Sequence, residues 1–360
     1  MFTQQDHFTL KPLEFDLFVG MDVDKRSISA TFLTHEGFVK SIKVPYDSWN
    51  LMGYVRRHFA EMRAVFVYEA GPTGFGLYDD LMAAGYECLV VSPSRVPATA
   101  SDRVKTNRID SRKLAEALRG GQLKGIRVPT PAYRQLRHMA QLREIFVRQL
   151  ADSKLRIKAV LLQEGIGYPP AKPRGQWRLA VIEELKILSA PAVIRFKLDT
   201  LVAHLEFASR QVLSITRRTR EYCKSEPELQ HNLELLMSIP GVGPIVGTHV
   251  LARIGDWRLL RNCHEIGALL GLIPVESSTG DRTRRGSISR MGDPTTRNKL
   301  IETAWTAVRD DAEIREFYER VRSRHPAPIA ARKAIVAVAR KLTMRMYVVL
   351  KEQRPYEIRK

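Results

Sequence analysis

The sequence predicts an α/β unit built on a mixed sheet, followed by an all-α remainder. Two observations carry that division. In roughly the first third of the chain, short β-branched runs alternate apolar and polar residues, first back to back and then separated by helical stretches. From Ala132 onward the apolar residues recur at three- and four-residue spacing instead. A third observation concerns partners. The 360 residues carry 58 Lys+Arg against 39 Asp+Glu, a formal net charge of +19. A field of that sign favours a nucleic acid, bound through phosphate neutralisation and counterion release.

Each element can be justified in order. Residues 1–13 are expected to be a loose tail. The runs DLFVGMDV (16–23), SISATFLT (27–34) and FVKSIKVP (38–45) predict an antiparallel three-strand meander, the last two joined across His35-Glu36-Gly37. A helix is expected over 48–60, a strand at AVFVYE (64–69), a helix over 75–84 and a strand at ECLVVSP (87–93). Helices over 94–101 and 107–119 complete the series. The order β-β-β-α-β-α-β-α is that of a ribonuclease-H-like fold, expected over 14–130.

The next segment, expected over 131–230, is a helical hairpin or coiled coil. Leu136, Met139, Leu142, Ile145, Phe146, Leu150, Leu155, Ile157 and Leu161 form one helical stripe. IGYPPAKPRGQ (166–176) breaks that helix, and a second long one is expected over 191–224. A helical domain over 231–325 and a basic closing helix and tail over 326–360 follow.

Composition bounds the rest. No stretch approaches the roughly 20 apolar residues of a transmembrane helix, so no membrane partner is expected. The opening MFTQQDHFTLKPLEFD lacks a basic-then-apolar signal pattern. Cys88, Cys223 and Cys263 are isolated and odd in number, which points to a reducing cytoplasm and to neither disulfides nor zinc.

Alternation along DLFVGMDV puts Phe18, Gly20 and Asp22 on one face. A carboxylate ending an otherwise apolar central strand is costly to bury unless it is paired or binds a metal. Glu69 ends AVFVYE in the same way, and in this strand order the two strands are parallel neighbours. Hard oxygen ligands at such strand ends suit Mg²⁺ or Mn²⁺. KTNRIDSRKLAEALRGG (105–121) adds Asn107 and Asp110, three apart on one helical face, although both residue types also cap helices. Asp102 is a further carboxylate just upstream.

Two segments of the last third can hold phosphates. SIPGVGP (238–244) separates helical runs, and Gly241 and Gly243 would let backbone N–H groups approach a phosphate, as in a helix-hairpin-helix; a plain interhelical turn is the alternative. Beyond Pro274, Ser277, Ser278, Ser287 and Ser289 are interleaved with arginines. Arg282, Arg284, Arg285, Arg290, Arg297 and Lys299 face only Asp281 and Asp293 in sequence. Guanidinium forks match phosphates, and a serine among them could attack a phosphodiester. A solvated linker is the other reading. No histidine lies close in sequence, so activation would come from a metal, the positive field or another part of the fold.

Together these motifs resemble the DEDD transposases of the insertion-sequence 110 and 1111 group. GMD, VYEAGPTG and KTNRIDSRKLA resemble their RuvC-like domain. SIPGVGP, ALLGLIP, SSTGDRTRRGSISRMGD and the closing helix resemble their transposase domain, so the likeness runs from about residue 14 to 355. The resemblance implies a metal site at Asp22, Glu69 and Asp110. It implies a DNA nucleophile at Ser278, four residues past Pro274, with Ser277 as close competitor. It further implies an element-encoded guide RNA, a homo-oligomer with composite active sites, and a prokaryotic, nucleoid-associated location. The chain departs from the family at Asn107, where an Asp is usual. Two other functions fit the same residues: a metal-dependent, junction-resolving nuclease that uses water, and a catalytically silent nucleic-acid-binding copy.

Overall fold

The structure is a computed structural model that describes residues 10–97, 106–168, 177, 179–276 and 285–358. It divides into two compact units, Met1–Val128 and Pro129–Lys360.

The first unit is a five-stranded mixed sheet. Strands β1 (Leu17–Val23), β2 (Ser27–Leu33) and β3 (Phe38–Pro45) form the expected antiparallel meander. Helix α1 (Ser48–His58) starts where Asp47 accepts the Trp49 N–H. It leads to β4 (Ala64–Glu69), parallel to β1, then α2 (Gly76–Ala83) and β5 (Glu87–Val91). Helix α3 (Asn107–Arg119) closes the unit, and the strand order is β3-β2-β1-β4-β5. The helix expected over 94–101 is replaced, as far as the chain is described, by a 3-10 turn at Pro93–Arg95 and an extended Val96. Prolines at 93 and 97 explain why no α-helix starts there.

Two cores sandwich the sheet. Leu17, Val19 and Met21 pack with Phe66 and Tyr68 against Leu51 and Leu81 of the first two helices. The alternate residues Phe18, Val65, Val67 and Leu89 pack against Leu114, Ala115 and Leu118 of α3. Central strands buried on both faces read as nearly continuous apolar runs, which is why β1 and β4 were legible in sequence.

The second unit is mostly helical. Helix α4 (Pro131–Gln163) runs 33 residues, α5 (Leu179–Ile187) follows, and α6 (Ala192–Ser225) returns alongside α4 over 34 residues. The hairpin matches expectation; α5 does not appear in it. Ile157, Val160 and Leu161 pack with Leu185, Leu198 and Val202, so α5 seals the far end. Leu142, Ile145 and Leu155 of the predicted stripe are exposed.

Helices α7 (Pro227–Met237) and α8 (Pro244–Ile254) flank the glycine turn, and α9 (His264–Leu269) follows. A small antiparallel ribbon, β6 (Pro274–Glu276) and β7 (Arg285–Ile288), comes next. Helices α10 (Pro294–Asp310), α11 (Ala312–Arg322) and α12 (Ala327–Glu352) end the chain. One core joins Leu136 and Ala140 of α4, Leu233 and Val250 of the glycine-turn pair, and Val338 and Leu342 of α12. The foot of the hairpin and the closing helix thus share the core of the intervening helices. Among the described residues no helix is long and apolar enough to cross a membrane.

Candidate active site and nucleic-acid contacts

The register of the parallel pair β1–β4 brings the first two acids level. Met21 pairs with Tyr68, so the next residues along the strands are Asp22 and Glu69. Both follow residues of the α3-facing core, Phe18 and Gly20 in β1 and Val65 and Val67 in β4, so both belong to that face of the sheet. Glu69 is exposed and Asp22 half-buried.

Helix α3 reaches this edge because Gly20 lets it. A Cβ on Gly20 would lie 2.1 Å from the Ser111 carbonyl oxygen and 2.3 Å from the Ala115 nitrogen. The helix backbone therefore rests directly on the strand, one helical turn from Asn107 and beside Asp110. A buried hydroxyl chain fixes its rotation: Thr31 Oγ1 lies 2.9 Å from Ser111 Oγ and 2.9 Å from Ser41 Oγ. Sequence reasoning missed all of these positioning residues, although a lone glycine inside a strand is a signal of close backbone approach.

The N-cap of α3 is Thr106, whose hydroxyl accepts the Ile109 N–H at 3.3 Å. Asn107 and Asp110 are therefore not needed as the cap. Burial, then the negative charges of Asp110 and Asp24, raise the Asp22 carboxyl above its usual value. The structure thus brings Asp22 and Asp110 within electrostatic reach, with Glu69 at the same strand edge. Among the described residues no three His, Cys, Asp or Glu side chains already stand at metal-ligand spacing. The donor set nonetheless fits a hard divalent cation: a cation between Asp22 and Asp110 would turn their repulsion into attraction. Asp102 lies outside the described residues.

The described ends of the serine segment form the β6–β7 ribbon. Pro274 pairs with Ile288 and Glu276 with Arg285. Ser277, Ser278, Asp281, Arg282 and Arg284 fall outside the described residues, as does the side chain of Arg285. Ser287 is exposed, whereas the Ser289 hydroxyl is buried. The base of the ribbon is tightly fitted. A Cβ on Gly271 (φ +67°) would lie 2.3 Å from the Met291 carbonyl oxygen, and one on Gly292 (φ +115°) 2.1 Å from that of Leu269. Arg290 is exposed, at φ +55°.

Three of the residues expected at nucleic acid have partners within the fold. Arg297 is buried and donates to the carbonyls of Leu270 (3.1 Å) and Arg290 (3.3 Å), tying the ribbon's base to α9. Lys299 pairs with Glu144 at 2.9 Å. Gly241 has φ +82°, and a Cβ there would lie 2.9 Å from the Thr303 carbonyl oxygen, so its first duty is close packing on α10. Gly243 differs: it is the N-cap of α8 and has open space around it. A basic side chain looks alike in sequence whether it meets a phosphate, a carbonyl or a carboxylate.

Glu144 gives a stability prediction. Burial opposes its ionisation, but contacts from His249 (3.3 Å) and Lys299 outweigh that and hold its carboxyl at about 2. The folded carboxyl lies below its ordinary value, so its contribution is complete above about pH 4.5 and is lost as pH falls toward 2. Glu144→Gln is expected to lower stability at neutral pH by about 2 kcal/mol, after allowing for solvent screening. Chemical denaturation across this pH range should show the gap to wild type closing as pH falls; a constant gap would remove the ionic explanation.

Comparisons with known proteins agree with these motifs. A family model described as Transposase, labelled DEDD and IS110, matches residues 19–165. A second, described as Transposase IS116/IS110/IS902 family, matches residues 233–319. A candidate transposase of Sinorhizobium fredii is 30% identical over 300 residues, covering 81% of this chain and 72% of the relative. A second from the same organism is 24% identical, covering 92% and 91%. The transposase for insertion sequence element IS1533 of Leptospira borgpetersenii is 22% identical, covering 94% and 97%.

Proposed function

Because the chain belongs to the IS110 family of transposases, we propose that it excises and inserts an insertion sequence through a serine-linked DNA intermediate. What supports this reading is that register levels Asp22 with Glu69 on the α3-facing side of the sheet, while α3, seated on Gly20, carries Asp110 within electrostatic reach of Asp22. Asp22, Glu69 and Asp110 would hold Mg²⁺ or Mn²⁺, with the Asn107 amide oxygen assisting. The bound metal supplies Lewis-acid polarisation of the scissile phosphate. Ser278 attacks the phosphorus in line. An Oγ–P bond forms, the bond to one sugar oxygen breaks, and the serine proton is lost as that oxygen leaves to become a free hydroxyl. The phosphoserine ester keeps the phosphoryl group activated, so rejoining to a sugar hydroxyl needs no ATP. Arg282, Arg284 and Arg285 would neutralise the charge that develops on the phosphate. Arg290 and the open N-terminus of α8 at Gly243 would hold flanking backbone.

The family reading also brings a structured guide RNA and a homo-oligomer in which one subunit's serine completes another's acidic site. Exposed apolar side chains along the hairpin, among them Leu142, Leu155, Phe196 and Leu213, suit self-association. The direct test is to incubate the protein with Mg²⁺ and DNA carrying an element end, denature the mixture and locate any protein–DNA adduct by mass spectrometry. A phosphoserine at 278 is the expected result. Cleavage with no adduct would favour the water-using nuclease.

Asn107 supports a second reading, a weakened or silent copy, because it lowers the charge of the donor set. Asn107→Asp is expected to raise strand cleavage about ten-fold at limiting Mg²⁺. Equal rates in the two proteins would mean that three carboxylates suffice. No cleavage by either, at any Mg²⁺ or Mn²⁺ concentration, would favour the silent copy.

A further inference from the structure

We propose that the helical unit contains a separate polyanion site: a cavity that clamps a phosphodiester of a bound nucleic-acid strand between Arg137, Arg148 and Arg253. None of these residues belongs to the motifs above. The cavity measures about 640 Å³ and is walled by α4, α8 and the start of α10. That volume lies within the roughly 300–1,000 Å³ typical of ligand sites. Arg137, Gln141, Glu144 and Arg148 follow helical spacing along one face of α4, and His249 and Arg253 do so along α8.

The cavity's charges do not cancel across it. Its two acids are already engaged with neighbours. Glu144 is held by Lys299 and His249, which is buried. Asp293 caps α10, accepting the Thr295 and Thr296 N–H groups and the Thr296 hydroxyl. Among the arginines, Arg137 donates from Nε to the Ala252 carbonyl at 2.9 Å. The Nε of Arg253 is buried and has no hydrogen-bond partner among the described residues. Burial and the neighbouring Arg253 charge both lower the pKa of Arg137. Two guanidiniums are thus held close in a partly dry space, with one N–H unsatisfied. A buried unpaired donor on a charged group is expensive, and an anion with several acceptor oxygens relieves both the repulsion and the missing bond. Planar forks fit the paired oxygens of a phosphate, and a cavity of this size, with exposed Arg148 at its rim, suits a continuing strand better than one small ion.

The inference depends on the family reading only in taking nucleic acid as the ligand; it is independent of Ser278 and of the carboxylate edge. Full-length protein would be titrated against a fluorescein-labelled single-stranded oligonucleotide of mixed sequence, made as DNA and as RNA, over a series of KCl concentrations. Arg148→Gln and Arg253→Gln are each expected to weaken binding of at least one strand by about five- to ten-fold and to reduce the salt slope by about one. Arg322→Gln, an equal charge change at an exposed site on α11, should alter it less than about two-fold. Loss for DNA only, RNA only or both identifies the strand the cavity takes. If both variants melt like wild type and lose no more affinity than Arg322→Gln for either strand, the proposal is overturned. Should Arg253→Gln unfold, exposed Arg148 decides alone. Ser278→Ala should leave this binding intact, so failure here and failure of the serine chemistry are separable.

Discussion

Replacing Ser278 by alanine is expected to lower covalent capture of element-end DNA by about 10³-fold or more, with DNA affinity within about two-fold of wild type. The change removes one oxygen and adds no bulk. In sequence it lies between β6 and β7, and the base of that ribbon is held by Gly271, Gly292 and the Arg297 hydrogen bonds. Binding by the arginines and the chemistry of the hydroxyl should therefore separate. The matched control is Ser277→Ala, which keeps the same loop composition. Adducts lost in Ser277→Ala and retained in Ser278→Ala would move the nucleophile by one residue. Adducts at the wild-type level in both would remove serine attack from this segment.

The second large effect is expected at a residue with no chemistry. Gly20→Val should destabilise the first unit by at least about 2 kcal/mol and abolish strand cleavage, because overpacking a close-packed contact forces backbone to move. The obstacle is not a flexible side chain but the α3 backbone itself, at Ser111 and Ala115. A shift of α3 would carry Asp110 and Asn107 away from Asp22 and break the Thr31–Ser111 hydroxyl contact. Even Gly20→Ala places its methyl at the same clash, so the graded pair tests the geometry. Thermal melts together with cleavage assays are the measurement. A Gly20→Val protein with wild-type stability and activity would show that seating α3 on the strand is not what positions the acids.

The strands, α3 and the two long helices were legible because each is a one-dimensional pattern. Alternating, β-branched runs predicted the meander, a short apolar run predicted β4, and three-and-four spacing predicted α4 and α6. Helix α5 was missed because LAVIEELKI is only nine residues long and its exposed positions include Leu179 and Ile187, so its apolar residues do not mark one face. The β6–β7 ribbon was missed because three- and four-residue strands have no alternation of their own and exist only through pairing. Arg297 and Lys299 were assigned to a phosphate because sequence gives the charge of a side chain and not the group it meets.

The sequence by itself determined that Asp22 and Glu69 end apolar strands and that Asn107 and Asp110 share a helical face. These are local facts, set by residue order and by the periods of strand and helix. Tertiary structure decided the register that sets Asp22 and Glu69 level, that α3 rests its backbone on Gly20, and that Arg297 closes a turn while Arg253 lines a cavity. The physical reason is range. Backbone period propagates along the chain, whereas packing contacts, electrostatic pairing and cavity walls join residues far apart in sequence, and no local pattern specifies which partner a carboxylate or a guanidinium will meet.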